Sequence, residues 1–435
     1  MSHLSPAQSV AAGLRCPPDL NQPFAAAQAA WRFCGNGRVS LPQLAGPLVE
    51  CGRAGVAGAC GAYALVALDW SPLHYGRHGR SKRDRVPLGN AKDLGYELLT
   101  ALAVSDRDGS PLAPLCLELR AADGVHSTRS DRPLAARSPL DVLGPVMGRV
   151  AGLGLARPPV FIIDREADSV GHYRRWAKDG RRFVVRADDR PRAVHEGDDR
   201  PLGEVADRLR RTPGAFADAR GVLFRGVPAR QFVAETRVTL RRPARTHRVD
   251  RKTGEPRHRN VRGRPIALRL VVSEVRDEAG RVLARWLLLT NVAGEAVPAA
   301  TVALWYYWRW RIESYHKLLK GAGQHLECWQ QETAAALARR LLVAAMATVV
   351  VWRLARDESP AAAEFRDVLV RLSGRQVARA PGPDGTPARG FTEPALLAGL
   401  GVLVPMLLLL EHHDPDDLRR MAAAALPGLI RRDGG

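Results

Sequence analysis

The pattern of apolar and polar positions changes near Gly61 and separates a weakly helical N-terminal region from an α/β region. Five short apolar runs after that point predict strands: Tyr63–Leu68, Tyr96–Val104, Leu112–Leu119, Val160–Ile163 and Phe183–Val185. A helix is predicted over Leu140–Leu155, and Asp108-Gly109 is a hairpin signal between the second and third runs. Strand, strand, strand, helix, strand is the opening order of an α/β layer on a mixed sheet.

The second half of the chain first becomes strand-rich and then helical. Strand-like runs at Ala229–Leu240, Ile266–Val275 and Val282–Leu289 flank a basic segment, and helical patterns follow over Ala300–Lys320 and Ala334–Leu354. Residues Pro394–Leu410 carry no charge and approach the length of a membrane span, but two Gly and one Pro interrupt them. We therefore expect a buried helix, or a pair of short helices, rather than a membrane segment.

The chain has a large excess of basic residues, which indicates the kind of partner it binds. The chain of 435 residues has 65 Lys plus Arg, 45 Asp plus Glu and a net charge of +20, and its hydrophobic content of 46% excludes wholesale disorder. Arg241–Arg264 alone holds ten basic and two acidic residues. Such a surplus indicates a polyanionic partner, most often nucleic acid; a solvated loop is the alternative.

The cysteines and the N-terminus indicate the compartment. Six Cys show no C-x-x-C spacing, which argues against a disulfide scaffold and a zinc finger. The first thirty residues lack a basic start followed by an apolar run, so no signal peptide is predicted. We expect a cytoplasmic protein that does not enter a membrane.

Candidate chemistry begins with the segment Trp305–Lys320. If it forms one helix, the residues Tyr306, Arg309, Glu313, Lys317 and Lys320 fall on one narrow stripe. An adjacent stripe, Trp305, Trp308, Ile312, Tyr315 and Leu319, can pack on the sheet. From periodicity alone, an ordinary exposed face with i,i+4 salt bridges is the favoured explanation of the first stripe.

Carboxylates elsewhere favour a functional interpretation. Asp69 and Asp164 end apolar strands, and Glu313 lies on a helix that can pack on the same sheet. Three carboxylates from distant parts of a chain suit two Mg²⁺ ions, which prefer hard oxygen ligands and can assist phosphoryl transfer.

The run Asp164-Arg165-Glu166-Ala167-Asp168 has two interpretations. In an extended chain its three acids share a face and could chelate a metal. If a helix starts after Asp164, Glu166 and Asp168 are first-turn residues favoured by the helix dipole. The helical look of Ser169–Trp176 favours the second interpretation.

These segments together resemble a known family. Tyr306-x2-Arg309-x3-Glu313-x6-Lys320 matches the Y-R-E-K signature of bacterial DDE transposases of insertion-sequence family four. Asp164–Asp168 resembles that family's second-aspartate motif, and Asp69–Tyr75 its first, with Trp70 where the family has a small hydroxyl residue. The long gap between Asp164 and Glu313 resembles the family's β-strand insertion.

The resemblance implies an RNase H-like catalytic core, a mixed sheet flanked by helices, interrupted by a β-rich insertion and joined to helical terminal regions. It also implies that Asp69, Asp164 and Glu313 bind two Mg²⁺, for which Mn²⁺ can substitute. The implied reaction is cut-and-paste transposition: strand hydrolysis, hairpin formation by the freed 3′-OH, and strand transfer to target DNA. The implied partners are double-stranded DNA, as transposon ends and target, and a second copy in a synaptic complex. The implied setting is a bacterial cytoplasm, at the nucleoid.

The resemblance also implies DNA-binding residues. Tyr306, Arg309 and Lys320 resemble residues that hold phosphates near the cut, and Lys317 and Arg186 resemble further backbone contacts. Trp286 resembles a tryptophan that stacks on a flipped base; without the resemblance it reads as a core residue at a strand start.

The expected domains follow from both lines of argument. They are a short helical N-terminal region at 1–60 (part of a DNA-recognition domain), core segments at 61–190 and 286–355, a basic β-strand insertion at 191–285, and a helical C-terminal region at 356–435 that could dimerise. The alternative function is a metal-dependent DNA nuclease, or an inactive truncated transposase copy that only binds DNA.

Overall fold

The computed structural model describes residues 23–75, 82–89, 92–135, 138–249, 256–375 and 390–425. Within these ranges the chain forms one large mixed sheet with helices on both faces. The predicted fold class, a mixed sheet flanked by helices and extended by a β-rich insertion, is confirmed.

The strands and helices follow one another along the chain. The strands are β1 (Ala64–His74), β2 (Val86–Pro87), β3 (Leu94–Ser105), β4 (Pro111–Ala121), β5 (Gly124–Ser127), β6 (Ser130–Leu134), β7 (Pro159–Ile163), β8 (Arg182–Ala187), β9 (Arg192–His195), β10 (Asp198–Pro201), β11 (Ala217–Phe224), β12 (Val227–Leu240), β13 (Ala244–Val249), β14 (Pro256–Val261), β15 (Ile266–Arg276) and β16 (Val282–Thr290). The helices are α1 (Pro23–Gly35), α2 (Leu41–Leu44), α3 (Gly46–Ala59), α4 (Leu140–Ala151), α5 (Val170–Lys178), α6 (Leu202–Arg211), α7 (Ala299–Trp308), α8 (Arg311–Lys317), α9 (Ala334–Arg356), α10 (Pro360–Ser373), α11 (Glu393–Leu410) and α12 (Pro415–Ala425).

Strand β1 lies near the middle of the sheet. It pairs in parallel with β7, which pairs in parallel with β8, and antiparallel with β3, which pairs antiparallel with β4. The order β4-β3-β1-β7-β8 is therefore a mixed sheet whose parallel strands are joined through helical crossovers.

The strands of residues 191–285 continue this sheet. Strand β8 pairs with β16, and the order then runs through β15, β12, β9 and β10, with β11 paired to β12. Strands β13 and β14 form a separate two-stranded sheet within the basic segment, of which residues 250–255 lie outside the described residues. Residues 376–389 also lie outside the described residues.

Two apolar layers hold the helices against the sheet. Along β1, Leu65 and Ala67 belong to the core under α7, α8 and α9, whereas Val66 and Leu68 belong to the core under α3, α4, α5 and α6. This period of two is the strand geometry expected for a sheet buried on both faces. Because side chains alternate between the two faces, the position of a residue along the strand decides on which face it lies. This also holds for the polar residues that directly follow each apolar run.

Two helices, α9 and α11, are strongly apolar. Helix α9 is long and apolar enough to cross a membrane, but 78% of its apolar window is buried inside the protein, as in a core helix. The prediction for Pro394–Leu410 is correct for one half only, because α11 is a single helix whose Ala395 and Leu396 are buried while Met406 and Leu407 are exposed. Leu396 and Leu397 of α11 share a buried cluster with Leu369 of α10, and Leu400 and Leu403 pack against that cluster.

Candidate active site

Strand parity brings the two aspartates together. Val160 and Ile162 of β7 share a core with Leu65 and Ala67 of β1, so Asp164 and Asp69 continue the same face. Leu68 and Ile163 are direct partners in the parallel ladder, on strands about 4.8 Å apart, and Asp69 and Asp164 directly follow them. Both carboxylates face the helices α7 and α8.

The segment that carries Glu313 differs in detail from the prediction. Instead of one helix over Trp305–Lys320, α7 ends at Trp308, α8 begins at Arg311, and a π-helical turn covers Leu318–Ala322. Arg309 and Trp310 keep right-handed helical angles, so the stripe of functional side chains stays on one side. The apolar stripe packs on the sheet as expected, with Trp305, Ile312, Tyr315 and Leu319 buried.

Arg309 lies among all three carboxylates. Its Nη1 is 3.3 Å from Asp69 Oδ2, and its Nη2 is 3.3 Å from both Asp164 Oδ2 and Glu313 Oε1. Since those last two oxygens share one nitrogen, they are at most twice that distance apart. The structure thus gathers the three predicted carboxylates around one buried guanidinium.

Two further groups contact Asp164. The Tyr306 hydroxyl donates to Asp164 Oδ1 at 3.1 Å, and Arg186 Nη1 lies 3.6 Å from the same oxygen. Burial alone would raise the pKa of Asp164, but Arg309, the Arg165 backbone N–H, Arg186 and the Tyr306 hydroxyl outweigh it and lower the pKa. This carboxylate is therefore held ionised.

Asp69 has the opposite electrostatic environment. Burial, together with repulsion from Glu313 and Asp164, raises its pKa to about 6, although Arg309 acts in the other direction. The shared site thus has two strand aspartates whose pKa values are moved apart, which is typical of functional carboxylate clusters. Burial also raises the pKa of Tyr306 to about 12, so its hydroxyl stays protonated and donates.

Two clefts open on either side of the cluster. The first, which we call the lysine cleft, is a cavity of about 660 Å³ lined by Asp69, Trp70, Ser71, Glu313, His316, Lys317, Lys320 and Gly321. The second, the tryptophan cleft, is a cavity of about 510 Å³ whose lining includes Arg186, Trp286, Tyr306, Arg309 and Trp310. All nine predicted site residues except Asp164 line one cleft or the other, and Asp164 contacts Arg309 between them.

The two lysines are held differently. Lys320 Nζ donates to the Pro72 carbonyl and lies 3.7 Å from Glu327 Oε1, and burial lowers its pKa. Lys317 is exposed, with its Nζ 5.4 Å from the centre of the Trp310 ring. Cationic groups in the cleft are thus available to an anionic chain that passes the carboxylates.

In the run Asp164–Asp168, the interpretation as first-turn residues of a helix holds for Glu166 but not for Asp168, and the extended interpretation is wrong. Asp164 caps a short 3₁₀ turn, Arg165–Ala167, and α5 begins only at Val170. Asp168 accepts from the Tyr173 hydroxyl and the Asp188 N–H, both at 3.0 Å, and pairs with Arg242 at 2.8 Å. It therefore ties the insertion to the core instead of sharing a ligand face with Asp164.

Sequence reasoning missed several residues of the site. His316 is buried, its Nε2 lies 3.2 Å from Thr100 Oγ1, and burial followed by Lys320 and Arg309 lowers its pKa to about 3. The sequence signal that could have identified His316 is its position three residues after Glu313. The tip of the β11–β12 hairpin, around Phe224 and Gly226, also lines the tryptophan cleft, and no sequence pattern connects that hairpin with the site.

A second cluster of candidate ligands lies near the start of α9. Ligand atoms of Asp84, Asp123 and His126 all lie within 4.8 Å of one another. The Asp84 carboxylate accepts from the Tyr96 hydroxyl and the Ala334 N–H, and His126 pairs with Asp123 at 2.9 Å. These hydrogen bonds account for the positions of the side chains and indicate a structural role for the cluster.

The family model described as "Transposase DDE domain" matches residues 63–350, about two thirds of the chain, and this range contains Asp69, Asp164 and Glu313. Among solved structures the chain is similar to a piggyBac transposase in a synaptic complex with hairpin DNA, at 8% identity and a TM-score of 0.36, over 100% of this chain and 77% of that one. No curated protein sequence matches.

Proposed function

The chain belongs to the transposase DDE domain family, and from that premise we propose that it cuts and joins DNA by cut-and-paste transposition of an insertion sequence. The observation that carries the proposal is the gathering of Asp69, Asp164 and Glu313 around Arg309 between two clefts. Membership of insertion-sequence family four is part of the proposal.

The donor set fits divalent metal ions. Asp69, Asp164 and Glu313 offer hard carboxylate oxygens, all three side chains are only partly exposed, and the lysine cleft leaves room for waters that Mg²⁺ retains. Two Mg²⁺ ions, or Mn²⁺ in their place, would polarise the phosphodiester and lower the pKa of an attacking water or 3′-OH. These three residues would hold them.

The remaining site residues position DNA in this proposal. Tyr306, Arg309 and Lys320 bind phosphates next to the cut, and Lys317 and Arg186 bind the backbone further out. Trp286 lines the tryptophan cleft and offers a stacking surface for an extruded base, which offsets part of the cost of unstacking. Because phosphoryl transfer needs mainly positioning and charge neutralisation, these roles are sufficient for strand hydrolysis, hairpin formation and strand transfer.

Partners and organisation are proposed on the same ground. Double-stranded DNA is the substrate, as element ends and target, and two copies assemble in a synaptic complex. The basic insertion 191–285 grips DNA without reading its sequence. Residues 1–60 contribute to end recognition, and 356–435 to dimerisation, around the catalytic core of 61–190 and 286–355. The setting is a bacterial nucleoid.

The test replaces one carboxylate. Glu313→Gln should abolish Mg²⁺-dependent cleavage of a duplex carrying the element end while it leaves duplex affinity almost unchanged. Glu327→Gln is the matched control, because Glu327 contacts Lys320 but none of the three carboxylates, and it should still cleave. Mg²⁺-dependent cleavage by Glu313→Gln would sink the proposal.

A second assay separates transposition from the alternative functions. Wild-type protein with paired element ends and a target plasmid should give joined products. Cleavage without joined products would favour a metal-dependent nuclease, and binding without either would favour an inactive copy that only binds DNA.

A further inference from the structure

We propose that Arg309 is a resident counter-ion that occupies the metal position in the metal-free protein, so that loading of metal requires Arg309 to move toward a DNA phosphate. This inference rests on the proposed function and extends it to the order in which metal and DNA bind.

Electrostatics requires a cation at this position. Asp69, Asp164 and Glu313 converge from two strands and a helix, and without a neutralising charge their mutual repulsion would oppose folding. Arg309 supplies that charge from a side chain that is 8% exposed. It contacts all three carboxylates, as a bound divalent ion would.

The hydrogen-bond geometry of Arg309 is poorer than that of an arginine with a permanent structural role. Its three contacts are all 3.3 Å, longer than the 2.7–2.9 Å of well-formed charge-assisted hydrogen bonds. Its Nε and Nη1 are buried and make no hydrogen bond. By contrast, Arg149 contacts the fully buried Glu118 at 2.6 Å and also donates to Ser127 at 3.0 Å. Arg309 thus holds the cluster loosely and keeps donors unused.

The unused donors have a natural second partner. Arg309 also lines the tryptophan cleft, and a guanidinium offers a planar fork that matches phosphate oxygens. A DNA phosphate in that cleft would draw Arg309 from the carboxylates and leave them free for metal. By linkage, DNA then raises metal affinity and metal raises DNA affinity by the same factor. The protein would therefore not hold metal firmly until DNA is bound.

The test measures Mn²⁺ binding to the full chain by isothermal titration without DNA. The solution is kept at pH 8 for wild type and for every variant. Arg309→Met should bind Mn²⁺ at least about tenfold more tightly than wild type, a change worth about 1.4 kcal/mol. The control Lys317→Met removes the same charge from the lysine cleft without touching a carboxylate, and should change the affinity less than about threefold.

A second measurement does not depend on a buried substitution. Adding a short DNA duplex to wild-type protein should tighten Mn²⁺ binding. Equal Mn²⁺ affinity of Arg309→Met and wild type would overturn the inference, as would a wild-type affinity that the duplex leaves unchanged.

One more variant separates this inference from the proposed function. If Glu313→Gln removes Mn²⁺ binding while Arg309→Met and the duplex have no effect, the metal site stands and only the displacement of Arg309 is wrong. If Glu313→Gln binds Mn²⁺ as wild type does, the metal assignment itself is wrong.

Discussion

Asp69→Asn should make the metal-free protein more stable above pH 6. In the folded chain, burial and the neighbouring carboxylates raise the pKa of Asp69 from an ordinary value of 3.8 to about 6. The folded state therefore binds a proton more readily than the unfolded state. The stability associated with this residue is present below pH 3.8 and is lost as pH rises through 6. Asn, which carries no charge, escapes that loss.

The magnitude follows from the size of the pKa change. A tenfold change in proton affinity corresponds to about 1.4 kcal/mol, so a rise from 3.8 to about 6 corresponds to about 3 kcal/mol at pH 8. The Asp69 side chain is 20% exposed, so solvent screens this interaction only in part. Relative to wild type, the variant should gain almost nothing at pH 4 and up to about 3 kcal/mol at pH 8.

Thermal unfolding in EDTA between pH 4 and pH 8 measures the difference, which should reach a few degrees in Tm at the upper end. Asp164→Asn is a matched control of opposite sign, because Arg309 and the Arg165 N–H lower the pKa of Asp164 against the effect of burial. That variant should be less stable than wild type at pH 8. If Asp69→Asn were no more stable than wild type at pH 8, the electrostatic description of the site would be refuted.

Three further predictions concern DNA and the insertion. Lys320→Ala should weaken duplex binding about equally for all sequences and reduce the slope of log affinity against log salt by about 1, measured by fluorescence anisotropy. Trp286→Ala should still nick a transposon end but form less hairpin product on a denaturing gel, and normal hairpin yield would contradict the stacking role. Asp168→Ala leaves the partly buried Arg242 unpaired and should cost about 3 kcal/mol in chemical unfolding, with an unchanged midpoint as the contrary result.

Much of the core could be predicted from the sequence because apolar runs specify buried strands directly. The runs that end at Asp69 and Asp164 became β1 and β7, and the Asp108-Gly109 turn joins β3 to β4. Strand β1 nevertheless continues to His74, since β3 still pairs with it beyond the end of β7. Asp69 therefore lies inside a strand, at the point where its parallel neighbour stops.

Other features depend on contacts between distant segments that periodicity does not record. The turn between α7 and α8 preserves helical angles, so nothing in the sequence stripe marks it. Asp168 turns toward Arg242, 74 residues further along the chain, and this contact decides its orientation. The position of Arg309 among three carboxylates likewise depends on the packing of α7 and α8 on the sheet.

In the proposed function, Asp69, Asp164 and Glu313 hold the metal ions for DNA cleavage. Asp69→Cys tests it most directly, because a thiolate is a poor ligand for Mg²⁺ and a better one for Mn²⁺. Cleavage of an end-containing duplex by Asp69→Cys should be lost in Mg²⁺ and partly recovered in Mn²⁺, whereas Asp69→Ala should cleave in neither. If either variant cleaved in Mg²⁺ at the rate of the wild-type protein, Asp69 would not be a metal ligand.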